Sequence, residues 1–413
     1  MRALSAQGRT VTKVASSVIA LCVAGQSAFA GGFAVREQSA SLLGSAFAGA
    51  AAGVDLSSSF WNPAAFGIAQ NGLTSQSSYT AIFADTEISN ATTNVPVGGA
   101  TSTDIDKIGV LSGSYAAYRL DEKTVLGVSM NAPFGLATEP DNLNYAGRFH
   151  GRAAEMLTFN VAPTLAYEVA PGVHVAAGVQ LQYMKLKLWS AASFVNPVPN
   201  AKIDTDDTVG VGFTLGVLLK PSAGTSVGLG FRSKISHELE GKFTAGATTL
   251  PVSADLDTPE IVTLSFSQAL SPQMRVLGTA EWTNWSRVDI VPIVGLPNAV
   301  VDAQWDDGWF VSGGLEYDYS ALMTLRGGVA YEKSPIQSAT QRLITLPDSD
   351  RIWLSLGATY RYSEATTFDV GYAHIFFDDS HLTRSTLNNP AFIINADVEN
   401  SADIISVGVR TRW

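Results

Sequence analysis

"DIISVGVRTRW", Asp403–Trp413, decides the fold. Read in steps of two, Ile405, Val407, Val409, Thr411 and Trp413 fall on one face. Ile404, Ser406, Gly408, Arg410 and Arg412 fall on the other. Successive side chains of an extended chain point to opposite faces, so this stretch is a strand with one apolar and one mostly polar side. A transmembrane barrel strand has that dyad, with lipid outside and a polar interior. The chain also ends on an aromatic residue, as outer-membrane barrels usually do.

The pattern recurs upstream. In "WFVSGGLEYDYS", Trp309, Val311, Leu315, Tyr317 and Tyr319 alternate with Phe310, Ser312, Gly314, Glu316 and Asp318. In "RIWLSLGATYRY", Ile352, Leu354, Leu356, Tyr360 and Tyr362 alternate with Trp353, Ser355, Gly357, Thr359 and Arg361. Tyr or Trp near the strand ends suits an aromatic girdle at a membrane interface.

The connections set the strand number. Tight turns are expected at Leu120–Lys123, Ala170–Gly172, Pro221–Gly224, Leu270–Gln273, Ser320–Leu322 and Ser363–Thr366. Long polar loops are expected at Ala84–Asp106, Ala132–Glu155, Ser190–Asp206, Glu238–Asp257, Arg287–Asp306, Ser334–Asp350 and Asp378–Glu399. Long and short alternate, which predicts a 14-stranded antiparallel barrel with both ends on the tight-turn side. The acids of the loops form a solvated outer surface or bridge divalent ions to lipopolysaccharide; no loop has a compact calcium spacing.

Composition agrees. Apolar residues make up 46 % of the 413, yet no uncharged apolar run is long enough for a membrane helix. Residues 1–30 have the form of a secretory signal: Arg2, Arg9 and Lys13, then an apolar Val14–Val23, then Ala28-Phe29-Ala30. The single cysteine, Cys22, lies within it, so a chain starting at Gly31 has no disulfide and no cysteine metal site. Removing three cations and no acid takes the net charge from −11 to −14, which argues against a nucleic-acid partner.

Residues 31–72 precede the first strand, expected at Leu73–Phe83. The segment is rich in Ala, Gly and Ser, and "SASLLGSAFAGAAAG" suggests a short helix of small residues. Fourteen strands enclose a lumen too wide for side chains alone to fill. A compact, weakly charged segment of this size suits a plug, and residues 73–413 form the barrel around it.

These stretches resemble the FadL-type outer-membrane transporters of long-chain fatty acids and related hydrophobic compounds. "GGFAVREQSASLLGSAFAGAAAGVDLSSSFWNPAAFG", Gly31–Gly67, is similar to that family's N-terminal hatch, with its Gly-Phe start and Asn-Pro-Ala motif. "NAPFGLAT", Asn131–Thr138, and "YAGRFHGRAAEM", Tyr145–Met156, resemble the end of its third strand and the loop that follows. "EWTNWSRV", Glu281–Val288, and "LRGGVAYEKSPI", Leu325–Ile336, match later stretches. The resemblance implies ligand-gated diffusion: an apolar pocket beside the hatch N-terminus, and a side exit at a kink in strand three. It implies a hydrophobic ligand, no cofactor, a monomer surrounded by outer-membrane lipid and lipopolysaccharide, and no enzyme activity. Fatty acids are the first expectation and aromatic or alkane hydrocarbons the second. A general porin would need an open lumen, which residues 31–72 argue against. An outer-membrane lipase or protease would need a catalytic constellation, and none is evident: the five histidines are scattered.

Several residues carry the expected site. By resemblance, Phe33 is a pocket or gating ring; otherwise it is a frayed terminus. Phe60 and Trp61 either border the ligand path or pack the interior. Asn62 and Pro63 form a turn that fixes the hatch or borders the path. Pro133 cannot donate to a ladder, so the strand is weakest there, beside Phe134. Arg148, next to Phe149, matches a family arginine that would face a ligand head group; the alternative is a loop arginine paired to a neighbour such as Glu155. Lumen-facing Glu281, Glu316, Arg326 and Arg361 are expected to pair with one another.

Overall fold

The computed structural model describes residues 31–105, 107–192, 200–387 and 389–413. The expected signal segment, residues 1–30, lies outside the described residues. Fourteen strands build the wall: β1 Leu73–Thr93, β2 Gly109–Arg119, β3 Thr124–Asn131, β4 Ala153–Ala170, β5 Val173–Ala191, β6 Thr208–Ser222, β7 Thr225–Arg232, β8 Ile261–Ala269, β9 Met274–Thr283, β10 Gly308–Asp318, β11 Met323–Lys333, β12 Arg351–Arg361, β13 Thr366–Phe377 and β14 Asn389–Arg412. Each pairs antiparallel with the next. β14 returns to β1 from Thr74↔Arg412 onward, so the ladder closes and leaves no free edge.

The alternation expected for these strands is present. On β10, Trp309, Val311, Leu315 and Tyr317 point outward and are about half exposed, while Phe310, Ser312 and Glu316 are buried inside. Ile405 and Val407 likewise face out, and Ile404 and Ser406 face in. The tight connections fall at the six expected places.

The loops differ from expectation. β1 does not end at Phe83 but runs on to Thr93. The loop expected at Glu238–Asp257 is a hairpin of Ile235–Ala245 and Thr248–Thr258, and Ser380–Thr386 pairs with the start of β14. Period-two burial continues above the membrane band. Ile88, Ile394 and Val398 are shielded there in an apolar cluster with Tyr145 and Leu382, so the rim has a core of its own.

Residues 31–72 pack against the inward side of this wall. Their backbone bonds its short polar side chains: Ala51 N–H donates to Ser265 Oγ at 2.9 Å, and Thr80 Oγ1 donates to the Glu37 carbonyl at 3.1 Å. The expected helix is only one turn, Ala40–Leu43, capped by the Ser39 hydroxyl. It stops because Ala46 and Phe47 take positive φ, which a helix cannot continue.

Candidate functional site

The wall breaks after β3. Asn131 pairs with Asn160, and pairing resumes at Gly135↔Leu157 on the short strand Gly135–Thr138, so three residues oppose two. Pro133 lies in the bulge and has no N–H to give. On the other side the β2–β3 ladder stops at Ser114↔Met130, while Gly109–Gly113 continue to pair with β1.

The first residues of the N-terminal segment bind this break as a short added strand. Val35 N–H donates to the Pro133 carbonyl at 2.8 Å, and Gly135 N–H donates to the Phe33 carbonyl at 2.9 Å. Ala34 and Phe134 form an antiparallel bridge. Gln38 Nε2 donates to the Ala132 carbonyl at 2.7 Å, and Tyr115 Oη donates to the Gln38 carbonyl at 3.0 Å. Sequence separations near 100 residues hide this pairing from any local pattern.

Phe33 is 4 % exposed and sits in an aromatic cage. Its ring centroid is 4.7 Å from Trp285, 5.6 Å from Trp305 and 5.8 Å from Phe134. Three edge or tilted contacts of this kind add to the apolar burial. Gly32 makes the approach possible: its φ is +64°, and a Cβ there would lie 3.1 Å from both tryptophans.

Beside the cage, charged groups are buried together. Arg36 Nη1 is 2.8 Å from Glu281 and Nη2 is 3.5 Å from Glu332. Glu332 also accepts from Gly31 N–H at 3.0 Å and from Trp353 Nε1 at 3.1 Å. Gly32 N–H donates to Asp348 at 3.0 Å, and Asp348 is paired with Arg351. Glu281 faces the lumen, as alternation predicted, but its partner is Arg36 of the N-terminal segment and not another residue of the wall. Glu316 does pair with Arg326, as alternation predicted.

A cavity of about 30 Å³ separates the segment from the wall, lined among others by Val35, Phe60, Trp61, Pro133, Arg232 and Trp285. It has room for water but not for an alkyl chain, since small-molecule pockets span roughly 300–1,000 Å³. Phe60 and Trp61 meet edge-on at 4.9 Å, and both border the cavity. Asn62 caps the 3-10 helix Pro63–Ile68 by accepting from Ala64 N–H at 3.0 Å, with Pro63 at the first helical position. Asn62 Nδ2 ties that turn to the wall, donating to the Val217 carbonyl at 2.9 Å.

Arg148 and Phe149 lie elsewhere, among the loops. The Arg148 guanidinium donates to the carbonyls of Val97, Gly98 and Tyr145 at 2.6, 2.8 and 2.8 Å, and Glu155 pairs instead with Lys187. Phe149 meets Phe392 at a tilt, with ring centroids 5.7 Å apart. Arg36, Arg232, Trp285 and Trp305 were missed as site residues. For Arg232 a signal existed: in "GLGFRS" it shares a parity with Gly228 and Gly230, which marks it as inward-facing.

Glu37 is 1 % exposed, and neither carboxyl oxygen has a hydrogen-bond partner on another described residue. Burial first, then Glu332, push its pKa up to about 7, against the pull of its own backbone N–H, Arg36 and Arg351. A carboxyl raised on docking favours the docked segment when protonated. The advantage is lost as pH rises from the unfolded value of 4.5 through 7. The cost above pH 7 is on the order of 3 kcal/mol. Protease resistance of residues 31–72 in the folded barrel is expected to fall between pH 5 and 8, and Glu37→Gln to flatten most of that fall. An identical pH profile in the variant would refute this.

Among the described residues, no group of His, Asp and Glu could hold a metal ion. A family model described as outer membrane protein transport protein (OMPP1/FadL/TodX) matches residues 20–413. Outer membrane protein P1 of Haemophilus influenzae is 26 % identical over 411 residues, covering 86 % of this chain and 88 % of that protein. A long-chain fatty acid transport protein of Escherichia coli O6:H1 is 24 % identical, covering 89 % and 92 %. Among solved structures, a Pseudomonas aeruginosa FadL homologue superposes with a TM-score of 0.83 at 20 % identity, over 92 % of this chain and 99 % of that one. The toluene transporter TbuX of Ralstonia pickettii gives 0.65 at 16 % identity, over 91 % and 99 %.

Proposed function

Because this chain belongs to the OMPP1/FadL/TodX family of outer membrane transport proteins, we propose that it takes up long-chain fatty acids by ligand-gated diffusion. The barrel is a multi-pass outer-membrane protein, and its family carries hydrophobic compounds across that membrane. In our reading the signal is cleaved after Ala30, residues 31–72 are a hatch, and residues 73–413 are the channel wall.

One observation carries the mechanism. The segment that fills the lumen is hydrogen-bonded to the break in the wall through Phe33, Val35 and Gln38. An alkyl chain entering beside Phe60 and Trp61 must displace Val35 and Phe33, because the cavity is too small to hold it. Burial of each CH₂ contributes about 0.8 kcal/mol, so a long chain can supply the work. Displacing Phe33 breaks its bond to Gly135, releases the strap from Pro133–Phe134, and opens a sideways path into the membrane between β2 and β3. Asn62 and Pro63 hold the rest of the hatch while its first residues move. Arg148 and Phe149 serve upstream, where Arg148 clamps the loops that roof the entrance.

A second reading, uptake of aromatic hydrocarbons, is favoured by the cage around Phe33, which already holds a benzene-sized ring among three others. Uptake of labelled oleate and of toluene, in cells lacking their own such channel, separates the two. Expressing this protein is expected to raise oleate uptake several-fold. A rise in toluene alone would favour the second reading; no rise in either would remove both.

A further inference from the structure

The cavity beside the hatch is bordered by two arginines whose surroundings differ. Arg36 is neutralised by Glu281 and Glu332. Arg232, the last residue of β7, is 6 % exposed and forms no ion pair with any described residue. Its guanidinium donates to Gln180 Oε1, and at 3.3 Å to the Phe60 carbonyl; it also lies 4.5 Å from the centre of the Phe60 ring. Glu281 acts on it electrostatically, but the two Glu281 oxygens are committed at 2.8 Å to Arg36 and at 2.6 Å to Thr263.

A buried guanidinium without a counter-charge is costly, and the cost is recovered when an anion reaches it. Gln180 holds one arm of the fork in place; it is itself fully buried and donates from Nε2 to the Phe213 carbonyl at 3.1 Å. The other arm makes only a long bond to a backbone carbonyl, which a better acceptor can replace. The neighbouring surface, from Val35, Phe60, Trp61, Pro133 and Ile261, is apolar. A cation at the edge of an apolar cleft fits a molecule with one anionic head and a hydrocarbon tail.

We propose that Arg232 receives the carboxylate of the transported ligand, with its alkyl chain laid along Phe60, Trp61 and Pro133. The inference rests on the uptake reading above and narrows it to ionised amphiphiles. The ligand anion supplies the charge that Arg232 lacks, through charge-assisted bonds to a planar donor fork. Arg148, by contrast, is occupied by three loop carbonyls.

The test compares oleate with methyl oleate, which has the same chain and no charge, by equilibrium binding to the purified full-length barrel. The wild-type protein is expected to prefer oleate, and Arg232→Gln to weaken oleate by about 10- to 100-fold while leaving methyl oleate within about twofold. Arg232→Lys, which keeps the charge, should retain part of the preference. Circular dichroism and heat-modifiability of each variant confirm a folded barrel. The assignment fails if Arg232→Gln weakens both ligands equally, or weakens neither. It also fails, with uptake itself intact, if the wild type binds both ligands alike. If the wild type binds neither, the uptake reading fails together with it.

Discussion

Deleting residues 31–71 is expected to leave a folded barrel with a much higher, unselective conductance. The wall's ladder closes on itself through β1 and β14, and none of its strand pairings needs the N-terminal segment. Its outer apolar face is satisfied by lipid in either case. What the deletion removes is the material between the inner faces. A 14-stranded lumen is wider than the eight-stranded case that side chains alone can fill. The charges left behind, Glu281, Glu332, Asp348 and Arg351, become solvated instead of buried, so the penalty on folding is small. Planar-bilayer recordings decide the matter: conductance equal to that of the full chain would show that residues 31–71 do not obstruct the channel.

The second large effect is expected from a single methyl-scale intrusion. Gly228 and Gly230 of β7 face the N-terminal segment. A Cβ on Gly230 would stand 1.8 Å from the Trp61 carbonyl oxygen, and one on Gly228 1.8 Å from the Ala51 carbonyl oxygen. Neither side can yield cheaply. β7 is held by ladders to β6 and β8, and the intruded atoms are backbone, not flexible side-chain ends. Gly230→Val should therefore push the segment off the wall near Trp61 and Asn62. Conductance should rise towards that of the deletion, and the segment should become protease-sensitive. Gly313→Val is the control, because nothing lies within 4 Å of a Cβ at that outward-facing position. If Gly230→Val and Gly313→Val behave alike, the segment is not seated on β7 as described.

Which residues could be read in advance follows from the range over which the relevant forces act. Trp309 and Phe310 were separable because neighbouring side chains on a strand point to opposite faces, whatever the rest of the chain does. The six tight turns were legible because each is a few residues long and joins adjacent strands. Loop structure was less legible. Ile88 and Leu382 look like isolated apolar residues in polar stretches, and only together with Ile394 do they form the cluster that extends the strands. Ser39–Gly53 suggested a short helix, because Ala-rich composition favours one, and only Ala40–Leu43 is helical. Docking on the inner wall instead favours the turns at Ala46 and Phe47.

The candidate site shows the same division more sharply. Pro133, through its missing N–H, supported the weak point that family resemblance placed at the end of strand three. Phe33 and Arg148 entered only through family resemblance, and the structure sets them in different surroundings: Phe33 in a cage beside the break, Arg148 among loop carbonyls. Nothing local ties Gly31 to Glu332, 301 residues away. Nor does anything local join Arg232 to Gln180 and Phe60, or Phe33 to Trp285 and Trp305.

The sequence by itself determined the membrane-facing barrel, its fourteen strands and the segment left over at its start, because period-two alternation and turn chemistry act between near neighbours. Barrel closure decided the rest. It brought Arg36 to Glu281, left Arg232 without an ion-pair partner among the described residues, and laid Phe33–Val35 against the break at Pro133. Those outcomes depend on which inward faces meet across the lumen, and that is set by the register of all the ladders together.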